Sequence, residues 1–428
     1  MRIKGLPTGE AGRRLLFLTP AYTPVPGGGE RYVAALAQQL ARRGCQLTVV
    51  TSAAEREAEF WQGSGQQRIT ETAGGNIRVV RLPLRRFPGG RPALFAWRKL
   101  MIMVSALPGN QSAVLSRMAD LIPPIQQLAA TVERLGEVFD LVHAFNISWE
   151  HALVVAANYA FKRRLPFVAT PFAHLGTGLH DRVALNSTMD HQLRLLRQAD
   201  SVLALTAAER DGLIRLGLAA ERLAVVGSGV EEAPADVPAS ALVAAVQRQV
   251  PDPYAIFVGR ASYDKGALHA AQAVLALRTQ GVAASLVVVG QSTPEFERLI
   301  QSLSAAERRA IYQTGVVSEA DKHALLRRAA VLLLPSQVDS FGIVLLEAWS
   351  HGVAVIAARA GGITAVVDHN QNGLLVEFGD VEALAGALRR LLTNQTERQA
   401  MGQHGRQKVQ ARYTWHSVAD QVLLNYTW

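Results

Sequence analysis

Arg260 and Lys265 bracket one short loop, with Gly259 before it and Gly266 after it, directly downstream of an apolar run at residues 255–258. Arg presents a planar fork of donors and Lys a compact charge, so the two together suit a diphosphate and can neutralise it without a metal ion. Solvated loop charges are the plain alternative. A second constellation follows another apolar run and reads Pro335-Ser336-Gln337-Val338-Asp339-Ser340-Phe341-Gly342-Ile343-Val344-Leu345-Leu346-Glu347. Gly342 lets a ligand approach the backbone, and the amides of Ile343 and Val344 would open a helix whose positive end attracts an anion. Glu347 lies one turn further in, where a carboxylate can accept hydrogen bonds from a ribose diol. An N-terminal capping role for Asp339 and simple exposure of Glu347 are the alternatives there.

Such loops need a parallel sheet whose carboxyl edge collects them. Short β-branched or Leu-rich runs alternate with helical periodicity along the whole chain, which predicts parallel strands joined by crossover helices. In the first half the predicted strands are 14–18, 47–51, 141–144, 166–170, 202–206 and 223–226. Gly27-Gly28-Gly29 follows the first of these, and Val33, Leu36, Ala37 and Leu40 then recur at helical spacing up to Gly44. Composition shifts to Ala, Pro, Val and Asp from Glu231 to Pro253, with a short helix predicted at 241–249 under a Ser240 cap. Beyond it the alternation restarts: strand 255–258, helix 266–280, strand 285–289, a helix near 305–312, helix 319–330, strand 331–334 and strand 354–358. Two Rossmann-like α/β/α domains are expected, with boundaries at 1–232, a linker at 233–252, 253–410, and a closing helix at 411–428.

The bulk numbers support packed cores: 428 residues, 49% hydrophobic and 18% charged. Cys45 is the sole cysteine, which rules out an intramolecular disulfide or a four-thiolate zinc site and fits a reducing, cytoplasmic compartment. No apolar run approaches the roughly 20 residues of a membrane span. Arg2, Lys4, Arg13 and Arg14 before Leu15-Leu16-Phe17-Leu18 faintly suggest a secretion signal, but a first strand is the better reading. The formal charge of +9 is uneven, at +10 over residues 1–230 and −1 over the remainder. Residues 72–119 carry Arg78, Arg81, Arg85, Arg86, Arg91, Arg98, Lys99 and Arg117 without one acid, beside Phe87, Phe95, Trp97 and Met101-Ile102-Met103. That segment is a candidate surface for anionic lipid or an anionic acceptor, against the alternative of a solvated face. Nucleic-acid binding is not expected, because no recognition motif accompanies the modest net charge.

Taken in order, the chain resembles glycosyltransferase family 4, the retaining, nucleotide-sugar-dependent enzymes of GT-B fold, in which two Rossmann-like domains face each other across a cleft. The matching pieces are Gly28-Gly29, Val226-Gly227-Ser228-Gly229-Val230, Gly259-Arg260 with Lys265-Gly266, Ser340-Phe341-Gly342 with Leu346-Glu347-Ala348, His351-Gly352-Val353, Gly361-Gly362, and Asn372-Gly373-Leu374-Leu375-Val376. The resemblance implies that Arg260 and Lys265 hold the donor diphosphate and stabilise the leaving group. It places Ile343 and Val344 on the same phosphates through their amides, Phe341 and Gly342 in the loop that presents them, and Glu347 on the ribose. The loop at Val316-Val317 would face the base, Asp339 the donor sugar, and Gly28 and Gly29 would let donor and acceptor pack against the first loop. His174 aligns with the active-site histidine. Asp339 stands where the family usually has Glu, Ala365 where many relatives carry Glu, and Ser228 where Asn is common.

The expected reaction is therefore sugar transfer to an acceptor hydroxyl on a glycan, a lipid-linked molecule or a small molecule. It needs no cofactor and no metal, and the protein is cytoplasmic or peripheral on a membrane face. A sugar-nucleotide epimerase of the same fold and a non-catalytic nucleotide-sugar-binding relative are the competing readings. Product formation from donor alone marks the first. Tight donor binding without turnover marks the second.

Overall fold

A computed structural model describes residues 12–25, 27–173, 175, 182–231 and 240–426. The chain divides into two compact units, Met1–Gly227 with Val418–Trp428, and Ser228–Ser417. The expected domain limits of 232 and 410 compare with Gly227 and Ser417 here. The expected linker contributes a helix, Ala241–Gln249, in which the Ser240 hydroxyl accepts from the Val243 amide and Val243 and Val246 are buried. Residues 233–239 of that linker lie outside the described residues.

The first unit is built on eight strands: β1 (Arg14–Leu18), β2 (Gln46–Ser52), β3 (Thr70–Gly74), β4 (Ile77–Leu82), β5 (Leu141–Phe145), β6 (Phe167–Thr170), β7 (Ser201–Ala204) and β8 (Leu223–Val225). Their order is β3-β4-β2-β1-β5-β6-β7-β8, parallel except for β3 against β4. β1 reads Leu-Leu-Phe-Leu after Arg14 and is buried on both faces, as a central parallel strand must be. Phe17 meets Phe145 and His143 edge-on across the β1–β5 pair.

His143 is fully buried on β5. Its Nδ1 lies 2.8 Å from the Tyr426 hydroxyl and its Nε2 2.8 Å from Thr170 Oγ1, which fastens the C-terminal segment to β5 and β6. Burial holds the imidazole pKa down at about 3. The unfolded chain, with an ordinary His near 6.5, binds a proton that the folded chain refuses, so stability falls as pH drops through 6.5 toward 3. Linkage for this one group gives a loss of about 1.4 kcal/mol between pH 7.5 and pH 5.5. Urea unfolding at the two pH values should show that slope, and His143→Asn should remove it; an unchanged slope in the variant would assign the effect elsewhere.

The second unit holds six parallel strands, β9 (Ala255–Val258), β10 (Leu286–Val289), β11 (Ile311–Gly315), β12 (Val331–Leu334), β13 (Ala354–Ala358) and β14 (Gly373–Val376), in the order β11-β10-β9-β12-β13-β14. The helix expected near 305–312 is cut short. It spans only Ala305–Arg308, because Ile311 and Tyr312 instead pair with Leu286 and Val287 and begin β11. Trp349 is fully buried on helix Ile343–Ser350 and donates to the Asn372 carbonyl at 2.9 Å. Gly405 of helix Gln395–Arg412 makes room for that indole: a Cβ there would sit 2.1 Å from the ring.

Candidate active site

In the second sheet, chain direction across the sheet reverses between β9 and β12. The chain steps outward from β9 through β10 to β11, then returns to place β12 on the other flank of β9. A reversal of this kind leaves a crevice at the carboxyl ends of the two strands, where open α/β sheets bind ligands. The loops that leave β9 and β12 are those carrying Arg260, Lys265, Asp339 and Gly342, so the switch point brings the two constellations together.

The two loops are bonded to each other. The Gln337 amide donates to the Asp264 carbonyl at 2.8 Å. Lys265 Nζ donates to the Val338 carbonyl at 3.2 Å and to Asp339 Oδ2 at 3.1 Å. Gly266 lies in the left-handed region at φ 77°, and a Cβ there would stand 2.0 Å from the Pro335 carbonyl oxygen. Only glycine allows the loops this close.

Arg260 is largely exposed and reaches Asp264 at 3.3 Å, while Lys265 is about one-third exposed. Asp264 is held below the ordinary carboxylate range: burial raises it, and hydrogen bonding to Ser262 with the charges of Arg260 and Lys265 outweighs that. Asp339 is not the capping residue that the sequence offered as its alternative: no side chain caps the following helix, and the carboxylate instead braces the turn before it. Its Oδ1 accepts from the amides of Phe341 at 3.2 Å and Gly342 at 2.7 Å, and its Oδ2 faces Lys265, so the carboxylate braces the turn into the helix and the ammonium together. The Gly362 amide donates to the Asp339 carbonyl at 2.8 Å, which ties the loop after β13 to the same place.

Gly342, at φ 77°, is the N-cap of helix Ile343–Ser350, and Ile343 and Val344 supply its first amides, which have no acceptor within the helix. The helix start therefore projects donors and partial positive charge from the crevice between β9 and β12. Phe341 turns out to contribute backbone only: its ring is buried edge-on against Tyr413 at 5.5 Å. Glu347 is also buried rather than exposed, and accepts from Lys322 Nζ at 2.8 Å, while that ammonium also bonds Glu319 at 2.6 Å. Lys322 escaped sequence reading. Its one local sign is the i, i+3 pairing with Glu319, and only the fold shows that it is buried against Glu347. Val317 is half-buried just beyond β11, next to the exposed Val316.

In the first unit, Gly28 and Gly29 form the first turn of helix Gly28–Arg42, following β1. Gly29 lies against the Phe172 ring, where a Cβ would come within 3.3 Å. Phe172, in the left-handed region at φ 50°, belongs to the loop after β6. Glu209 holds that loop: one carboxyl oxygen accepts from the Ala173 amide at 2.7 Å and the other from Leu205 at 2.8 Å. Burial lifts this carboxyl to about 7 against those two bonds. His174 lies outside the described residues. Among the described residues, no group of three His, Cys, Asp or Glu is arranged to hold a metal ion.

Two family models account for most of the chain: residues 27–229 match a glycosyl transferase 4-like domain and residues 241–408 match the glycosyl transferases group 1 domain. The chain belongs to glycosyltransferase family 4. This glycosyltransferase is 27% identical to the D-inositol 3-phosphate glycosyltransferase of Xylanimonas cellulosilytica over 97% of its own length and 96% of that enzyme. It is 27% identical to the glycogen synthase of Mycobacterium tuberculosis over 65% of its own length and 66% of that enzyme, just under two thirds of it. Among solved structures, the Anabaena protein HepE in complex with UDP-glucose superposes with a TM-score of 0.67 at 20% identity, covering 96% of this chain and 98% of that one. The fold is GT-B, built from two Rossmann-like domains, and the family assignment favours a nucleotide-sugar transferase over an epimerase or a non-catalytic relative.

Proposed function

We propose that this glycosyltransferase moves a sugar from a nucleoside diphosphate sugar to an acceptor hydroxyl with retention of anomeric configuration and without a metal ion. The observation that carries the reading is the switch point between β9 and β12, whose two loops carry Arg260, Lys265 and the start of helix Ile343–Ser350. As the glycosidic bond breaks, negative charge grows on the diphosphate, and fixed cations with oriented amides stabilise it without reorganising. Asp339 positions Lys265 and the turn before the helix in this scheme, and presents any remaining lone pairs to the sugar. Glu347, fixed by Lys322, accepts from the ribose, and the loop at Val316-Val317 faces the base. His174, Gly28 and Gly29 of the first domain serve the acceptor, itself a glycan, a lipid-linked molecule or a small molecule. HepE, crystallised with UDP-glucose, makes a uridine donor the first to test.

The test is equilibrium binding of UDP-, GDP- and ADP-sugars with and without EDTA, followed by NMR assignment of the anomer formed. The reading requires at least one donor to bind with unchanged affinity in EDTA and its product to keep the donor's configuration. Loss of binding in EDTA overturns metal independence. An inverted product overturns retention. A product formed from donor alone would restore the epimerase reading.

A further inference from the structure

The acid-free segment at 72–119 separates, once folded, into cations with internal work and cations without it. Arg78 pairs with Glu71 and Glu137, Arg81 donates to the Thr23 carbonyl, and half-buried Arg98 donates through one guanidinium nitrogen to both Glu150 carboxylate oxygens at 2.5 and 2.6 Å. Arg85, Arg86, Arg91, Lys99 and Arg117 are exposed and make no ion pair among the described residues.

Helix Gly90–Ser105 displays most of what remains. At about 100° per residue, Pro92, Phe95, Ala96, Lys99 and Met103 fall within one arc of roughly 100°, opposite the buried Leu94 and Met101. Phe95 is 56% and Met103 66% exposed, and Leu100, Leu107 and Val114 are exposed nearby. Arg91 lies over the rings of Phe95 and Trp61, each 5.4 Å from its guanidinium carbon, which keeps a charge at the edge of the apolar strip. Apolar side chains flanked by unpaired cations, on a helix with no acid, are what a helix lying in a membrane interface presents. A second copy of the chain fits poorly, because self-pairing of this face would bring like charges together. Nucleic acid would use the cations and leave Phe95, Met103 and Leu107 in water.

We infer that the exposed face of helix Gly90–Ser105 docks on an anionic lipid surface, with Phe95 and Met103 entering the interface and Arg91 and Lys99 meeting the headgroups. This inference stands apart from the transferase reading, and its test uses no sugar. The whole protein is sedimented with phosphatidylglycerol vesicles and with phosphatidylcholine vesicles at low and at high salt. It should bind the anionic vesicles at low salt and ignore the zwitterionic ones. Each removed cation is worth about fivefold in partitioning, so Arg91→Glu with Lys99→Glu should cost at least about 25-fold. Phe95→Ser with Met103→Ser should reduce the binding that survives high salt. All four side chains are exposed or rim-placed, so the thermal midpoints should match the parent and a folding failure would be visible. Equal binding to both vesicle types, indifference to charge reversal, or a concentration-dependent dimer broken by the same substitutions would overturn the inference.

Discussion

Lys265→Ala is expected to lower kcat/KM for sugar transfer by about a hundred- to a thousandfold, the range typical for loss of one preorganised donor to developing charge. Lys265 Nζ bridges the Val338 carbonyl and Asp339 Oδ2, so its removal takes away both the proposed phosphate ligand and one of the bonds that hold the β9 loop to the β12 loop. The loss should fall mainly on kcat if the ammonium stabilises the departing diphosphate, and on KM if it only helps donor binding. Folding should survive, because Asp339 keeps its two amide donors at Phe341 and Gly342. Arg260→Ala, at an exposed position whose guanidinium bonds only Asp264 among the described residues, at 3.3 Å, should give a loss of the same order with even less effect on stability. Steady-state kinetics on both variants decide the matter. Undiminished turnover in both would remove the diphosphate site from β9.

Gly266→Ala should be among the most damaging single changes of one methyl group in the second unit's site. Two costs add. A left-handed backbone at φ 77° costs a non-glycine residue about 1 kcal/mol, and a Cβ 2.0 Å from the Pro335 carbonyl oxygen forces the backbone apart, an overpacking cost of about 2 kcal/mol. Together they amount to about 3 kcal/mol. Gly281 is the control, since it has φ 79° with nothing within 4 Å of its would-be Cβ, so Gly281→Ala carries the first cost alone. Urea midpoints of the two variants should differ by the overpacking cost, and only Gly266→Ala should also weaken donor affinity, because it separates Lys265 from the loop that carries Asp339. Equal midpoints would mean that the Pro335 loop yields freely.

The parts of this enzyme that could be read from the chain are those whose determinants are local. Ser240 before Ala241–Gln249 is a capping hydroxyl next to the helix it starts. The run from Val331 to Leu334 followed by Gly342 and the helix at Ile343 is one contiguous strand, turn and helix. What escaped depends on partners remote in sequence. Ile311 and Tyr312 have a helical look until Leu286 and Val287 offer them a strand to pair with. β3 is exposed throughout Thr70–Gly74 and shows no alternation that periodicity could detect. Lys322 and Glu347 are 25 residues apart, and nothing in either local sequence announces that they are buried together. The basic segment was visible as composition, yet which of its cations face outward was decided by Glu71, Glu137 and Glu150, two of them far along the chain.

With the donor bound as proposed, the order of the second sheet separates two recognition tasks in space. β11 stands at the outer edge, two strands from β9, so Val316 and Val317 lie about 10 Å along the sheet from the Arg260 loop, at the usual spacing of neighbouring strands. A nucleoside diphosphate laid along that edge would have its two ends read by loops that share no hydrogen bond found here. On that reading, evolution or an engineer can rewrite the preference for one nucleobase over another at the rim while leaving the chemistry of bond cleavage untouched.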